Sequence, residues 1–173
     1  AAHIQLDENG EFVRNPKEDL VKVAVVERHQ GTGNVACGFL KGYGIKEGAV
    51  ALSVAHDSHN IIVVGVNDEE MEFAVNSLIA QEGGIVLVKE GKVIEQMPMP
   101  IAGLMSDQSG EWVDEKLTCI HEKAYTELGI CGDVEPVMTL CFMSLAVIPE
   151  IKLTDMGLFD VTTFSFIPVE ISR

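Results

Sequence analysis

Gly48-Ala49-Val50-Ala51-Leu52-Ser53-Val54-Ala55-His56-Asp57-Ser58-His59-Asn60-Ile61-Ile62-Val63-Val64-Gly65-Val66 is the stretch on which the reading of this chain turns. Two apolar runs rich in β-branched residues, Gly48 to Val54 and Asn60 to Val66, predict strands buried in a sheet. Between them His56, Asp57, Ser58, His59 and Asn60 set two imidazoles and a carboxylate at a strand end. Such groups can hold a metal or trade protons near neutral pH, and a buried strand is a rigid mount for them. The same residue types also build turns and caps, so both readings stand at this point.

Working outward, Val21 to Glu27 and Asn34 to Tyr43 add two strands. The loop between them, His29-Gln30-Gly31-Thr32-Gly33, allows close backbone approach to a ligand, but no helix follows it, so it is no phosphate-binding fingerprint. Glu27-Arg28-His29 is expected to pair internally and fix that loop. Nearer the start, Asn9-Gly10 predicts a hairpin over residues 3 to 14, closed by the turn signal Asn15-Pro16. This hairpin carries almost no core of its own and is expected to pack on something upstream; a chain beginning at Ala1 fits a fragment or a cleaved initiator methionine.

In the other direction, Asn67 predicts a helix N-cap, with Asp68, Glu69 and Glu70 in the first turn and Glu70 placed for a capping box. Met71, Ala74, Val75, Leu78 and Ile79 form its apolar stripe, and Gly83-Gly84 ends it. Ile85 to Val88 and Lys92 to Gln96 flank Glu90-Gly91 as a second hairpin, which runs into Met97-Pro98-Met99-Pro100-Ile101, an edge segment because proline removes ladder donors. Gly110 to Leu128 predicts a second helix, with Val113, Leu117, Ile120, Ala124 and Leu128 on one face. Ser106 or Asp107 is its expected cap, Trp112 a packing anchor and His121 a partly buried structural histidine. Val137 to Val147 is apolar nearly all round, predicting a third helix buried on several sides, opened by Pro136 and stopped by Pro149. One or two strands close the chain, turning at Thr154-Asp155-Met156-Gly157.

Strands, then helices, then strands, without a regular βαβ alternation, predict an α+β domain: a mixed, mostly antiparallel sheet with about three helices packed on it. A length of 173 residues suffices for a core without staples. The net charge of −15 would repel a phosphate backbone, which argues against nucleic acid as partner. No run of residues is long and apolar enough for a membrane span and no signal peptide is evident, which points to a cytoplasmic protein. Cys37, Cys119, Cys131 and Cys141 show no paired spacing and are read as buried thiols in a reducing compartment.

Three stretches together resemble the carboxy-terminal domain of bacterial adenine deaminases, members of the amidohydrolase superfamily: Ser53 to Gly65 (SVAHDSHNIIVVG), Met97 to Ser106 (MPMPIAGLMS) and Leu145 to Val161 (LAVIPEIKLTDMGLFDV). The resemblance runs over most of the chain in the same order. It implies hydrolysis of adenine to hypoxanthine and ammonia in purine salvage, assisted by a divalent metal (manganese, iron or zinc) held in a (β/α)8 barrel by a His-x-His pair and further His and Asp residues. The five histidines here, His3, His29, His56, His59 and His121, contain no such pair, and the chain is too short for a barrel. Residues 1–20 are therefore read as a hairpin and linker from an upstream domain and 21–173 as the C-terminal α+β domain, inactive alone and without a metal of its own.

The resemblance leaves three roles open. His29, His56, Asp57, His59 and Asn60 could reach the barrel mouth and complete the adenine pocket. His56, Asp57 and His59 could hold an ion, although on a regular strand His56 and His59 point apart and only a turn would bring them together. The domain could instead serve structurally, covering the upstream barrel and supplying homo-oligomer contacts.

Overall fold

The computed structural model describes residues 3–10, 12–15 and 17–170. Pro16 of the expected Asn15-Pro16 turn lies outside them, as does Ala1. A short hairpin of β1 (Gln5–Leu6) and β2 (Phe12–Val13) precedes a six-stranded sheet. The sheet contains β3 (Leu20–Val26), β4 (Val35–Lys41), β5 (Ala49–Leu52), β6 (Ile61–Gly65), β7 (Gly84–Lys89) and β8 (Lys92–Pro98) in the order β4-β3-β6-β5-β7-β8. Every pairing in it is antiparallel. Glu90 (φ 52°) and Gly91 (φ 65°) make the two-residue turn between β7 and β8, the left-handed pair that matches strand twist.

The central strands read as continuous apolar runs because both faces of the sheet are covered. On one face Val21, Val23, Val25, Val50, Leu52, Ile62, Val64, Ile85 and Leu87 meet α2 (Gly110–Thr126) and α3 (Pro136–Cys141). On the other, the small side chains of Ala24, Ala49 and Ala51 leave room for α1 (Asp68–Ala80) to settle closely through Met71, Ala74 and Leu78. A third sheet of β9 (Ile151–Thr154), β10 (Gly157–Asp160) and β11 (Ser165–Ile167) packs Leu153 and Leu158 over Gly38 of β4. The architecture is α+β, as the element pattern predicted, with three strands at the close rather than one or two.

Local details correct several expectations. The Asn67 side chain accepts the Glu70 N–H at 2.8 Å, but Glu70 does not complete a capping box; its carboxylate accepts the Gly91 N–H at 3.1 Å and so fastens α1 to the β7–β8 turn. Ser109, not Ser106 or Asp107, caps α2, accepting from Trp112 N. The third helix is short: after Cys141 the chain tightens into a 3-10 turn over Phe142–Ser144, because the Cys141 carbonyl accepts the His56 N–H. Nor is its apolar surface buried on several sides, since Met138, Val147 and Ile148 are exposed. Cys37, Cys119 and Cys131 are exposed too, and only Cys141 is the buried thiol that the spacing suggested.

The hairpin finds partners on this chain. Phe12 packs against Phe39 of β4 with tilted rings 4.8 Å between centroids, and the Arg14 guanidinium donates to the carbonyls of Ile45 and Lys46. Leu6 and Val13 remain exposed. His121 pairs with Glu135 at 2.5 Å, and Trp112 packs against the core with Lys116 Nζ 5.8 Å from its ring centre.

Candidate functional site

Antiparallel order sends the end of β3, the start of β4, the end of β5, the start of β6, the start of β7 and the end of β8 to one rim of the sheet. Three loops meet there: residues 27–34, 53–60 and 99–106. Fixing a loop costs roughly 1–2 kcal/mol per residue in backbone entropy, so a rim without core needs directional bonds. Side-chain to main-chain hydrogen bonds supply them.

Glu27 organises its own loop. Its carboxylate accepts the N–H groups of His29 (2.5 Å), Gln30 (2.8 Å) and Thr32 (3.0 Å) as well as the Thr32 hydroxyl. The Thr32 and Gln30 amides, followed by that of His29, hold the carboxyl down to about 2. Of the internal pairing expected in Glu27-Arg28-His29, the Glu27 bond to the His29 N–H forms, but the Arg28 and His29 side chains turn elsewhere. Arg28 and His29 reach across to the neighbouring loop: Arg28 Nε donates to His59 O at 2.5 Å, Arg28 Nη2 donates to Ala102 O at 2.8 Å, and His29 Nε2 lies 2.6 Å from Ser58 O.

The polar run 55–60 is a turn. His59 N donates to Ala55 O at 2.6 Å and His59 adopts φ 54°, a left-handed conformation uncommon for a residue with a Cβ. That turn does what a straight strand could not and brings the His56 and His59 rings to 5.6 Å between centroids, edge to face. His56 also stacks on Phe142 at 5.1 Å, while its main chain is held at both ends: N–H to Cys141 O, and O accepting the Ser144 hydroxyl at 3.0 Å. Asn60 is buried, its Oδ1 accepting Arg28 N at 3.3 Å. Asp57 points outward, its side chain 80% exposed and 3.9 Å from His56 Nδ1.

One polar atom in this well-bonded loop lacks a partner. His59 Nδ1 is buried without a hydrogen bond. Burial, then the nearby His56 and Arg28 charges, hold the His59 imidazole below the ordinary histidine value, favouring the neutral ring with one donor and one acceptor nitrogen. Among the described residues, no group of three or more His, Cys, Asp or Glu side chains is placed to hold a metal ion.

Of the sequence candidates, His29, His56, His59 and Asn60 therefore converge on one rim, and Asp57 stands at its outer edge. Sequence reading missed Arg28 as a bridge, Phe142 as the surface under His56, and Ser53. The fully buried Ser53 hydroxyl donates to Gly103 O at 2.5 Å and accepts Gly84 N–H at 2.8 Å, tying the third loop to the sheet. A buried serine at the end of an apolar run was the available signal for this last one.

Comparison with known sequences places this rim in context. The profile of the adenine deaminase C-terminal domain matches residues 2–165. Adenine deaminase 2 of Desulfotalea psychrophila is 71% identical over 167 residues, covering 96% of this chain and 29% of that protein. The adenine deaminase of Ligilactobacillus salivarius is 51% identical over 168 residues, 97% of this chain and 29% of that protein. That of Bacillus velezensis is 48% identical over 159 residues, 92% of this chain and 27% of that protein. The chain thus spans under a third of the length of the curated relatives it matches. With a matching profile over nearly its whole length and an α+β fold of the expected kind, the chain belongs to the adenine deaminase C-terminal domain family.

Proposed function

We propose that this chain is the carboxy-terminal part of a longer enzyme that hydrolyses adenine to hypoxanthine and ammonia in cytoplasmic purine salvage, and that the rim bearing His56 and His59 faces the adenine site. The relatives' names support the reaction. The observation that carries the site is the convergence of two imidazoles on a turn whose main chain is held by neighbouring loops. A neutral imidazole can donate to one purine nitrogen or accept from the exocyclic amine, and a fixed ring loses little entropy in doing so.

A divalent metal is part of what the family resemblance implies. The described residues offer no three-ligand group for it, so the ion would be held by the rest of the protein. His56 and His59 hold and orient the substrate ring; Asp57 and His29 border the rim.

In the full-length enzyme, His56→Ala and His59→Ala should each lower kcat/KM for adenine at least about fivefold, the loss of a hydrogen bond of about 1 kcal/mol. Values within about twofold of the parent would overturn the pocket reading.

A second role is supported by the apolar surface left open on the C-terminal sheet and the segment before it, where Val147, Ile148, Ile151, Met156, Phe164 and Phe166 are exposed. Apolar side chains left in solvent in this number suit contacts in a homo-oligomer. Light scattering should then show a species larger than the monomer that dissociates on dilution; a clean monomer at all concentrations counts against it.

A further inference from the structure

The least expected member of the rim is Arg28. Its guanidinium spans two loops, Nε donating to His59 O at 2.5 Å and Nη2 to Ala102 O at 2.8 Å. Both acceptor residues sit in the left-handed region without being glycine, His59 at φ 54° and Ala102 at φ 58°. Such conformations cost on the order of 1 kcal/mol each and persist only where the surroundings hold them. Here one planar fork grips both carbonyls.

The grip is tight and anchored behind. Gly103 lies so close to the guanidinium that a Cβ there would come within 2.9 Å of Nη1. Its carbonyl is taken by the buried Ser53 hydroxyl, so the 99–106 loop cannot drift away from the sheet to follow a loosened arginine. On the other side Arg28 N donates to Asn60 Oδ1, which locks the residue following His59. The peptide groups on both sides of His59 are thus tied, its N–H to Ala55 O and its carbonyl to Arg28 Nε, and the imidazole has little freedom besides its own rotamer.

We infer that Arg28 is a positioning residue: by clamping the His59 and Ala102 carbonyls together it sets the direction of the His59 imidazole relative to the 99–106 loop, and so the shape of the adenine pocket. The inference rests on the reading of the rim as the adenine site. Lysine could not replace it, because a single ammonium lacks the rigid two-donor edge that fixes the angle between two carbonyls.

The test is a double-variant cycle in the full-length enzyme, with steady-state kinetics on adenine and thermal unfolding recorded for each protein. R28Q is expected to lower kcat/KM about tenfold, with the loss carried by a raised KM, as for H59A. R28K should recover no more than about twofold of it, and the R28Q/H59A pair should fall within about twofold of H59A alone, because the arginine acts through that imidazole. If R28Q does not fold, R28K carries the same comparison, since it keeps the charge and one donor. An H59A enzyme indistinguishable from the parent would sink the site reading and this inference together. A sensitive H59A with a silent arginine variant, with losses that multiply, or with a loss confined to kcat would overturn the arginine's role alone.

Discussion

The two rims of the central sheet are built by different means. At the rim carrying the histidines, side chains bond to main chain: Glu27 ties down its own loop, and Arg28, Ser53, Asn60 and Ser144 each hold a neighbouring segment. At the opposite rim, beside the Arg14 and Glu70 side-chain bonds, main chain also bonds directly to main chain. Lys46 N and Glu47 N both reach Leu128 O, at 2.8 and 3.2 Å, and Val66 N reaches Gly48 O at 3.0 Å. Glycine makes this possible, since a Cβ on Gly48 would come within 2.0 Å of Val88 O. Direct contact between backbones gives a stiff, closed end. Side-chain struts keep the loop carbonyls and the two imidazoles oriented, which suits a surface that has to meet a ligand.

This contrast can be broken most sharply at the closed rim. Gly48→Ala should cost about 3 kcal/mol or more, from the clash with Val88 O and a strained φ of 67°, measured as a lowered urea midpoint. The fraction that stays folded should keep the parent's KM in the whole enzyme; a raised KM would mean that the rims are not independent. At the open rim, Ser53→Ala leaves Gly103 O and Gly84 N–H buried without their partner. It should cost about 2 kcal/mol and, unlike the glycine change, also weaken adenine turnover. Asn67→Ala removes the cap of α1 at the closed rim, with an expected cost of about 1 kcal/mol and no kinetic effect.

The smallest effect is a local one with pH. Because Glu27 is held at about 2 in the folded chain against an ordinary 4.5, its hold on the 29–32 backbone is complete above the ordinary value. It weakens as the solution is acidified between the two and is gone below the lower. Amide exchange at His29, Gln30 and Thr32 should therefore accelerate, relative to the sheet, across that window. Glu27→Gln should show fast exchange there at every pH, and equal protection in the two proteins at neutral pH would remove the carboxylate from the account.

The closed rim and the sheet were largely legible in the chain. Apolar runs bounded by glycine marked each central strand, Asn67 and its acidic followers marked α1, and Glu90-Gly91 marked the second hairpin. These signals are local, so spacing alone carries them. At the open rim the histidines could be picked out by type, but their convergence depends on a left-handed turn at a non-glycine residue, which no local rule predicts. Arg28 escaped for another reason: its acceptors are carbonyls 31 and 74 residues away, and a carbonyl leaves no mark in a sequence. The third helix was overextended because its apolar composition continues past Cys141, whereas its end is set by a hydrogen bond from His56 in the turn between β5 and β6.

The last turn of β8 has a consequence of its own. Met99 directs its N–H inward to Gly83 O, so strand alternation sends positions 98 and 100 outward, and both are proline. An incoming strand would find no donor at either place. Chance pairing with another molecule is therefore disfavoured at this end of the border, a guard against fibrous growth written into two residues.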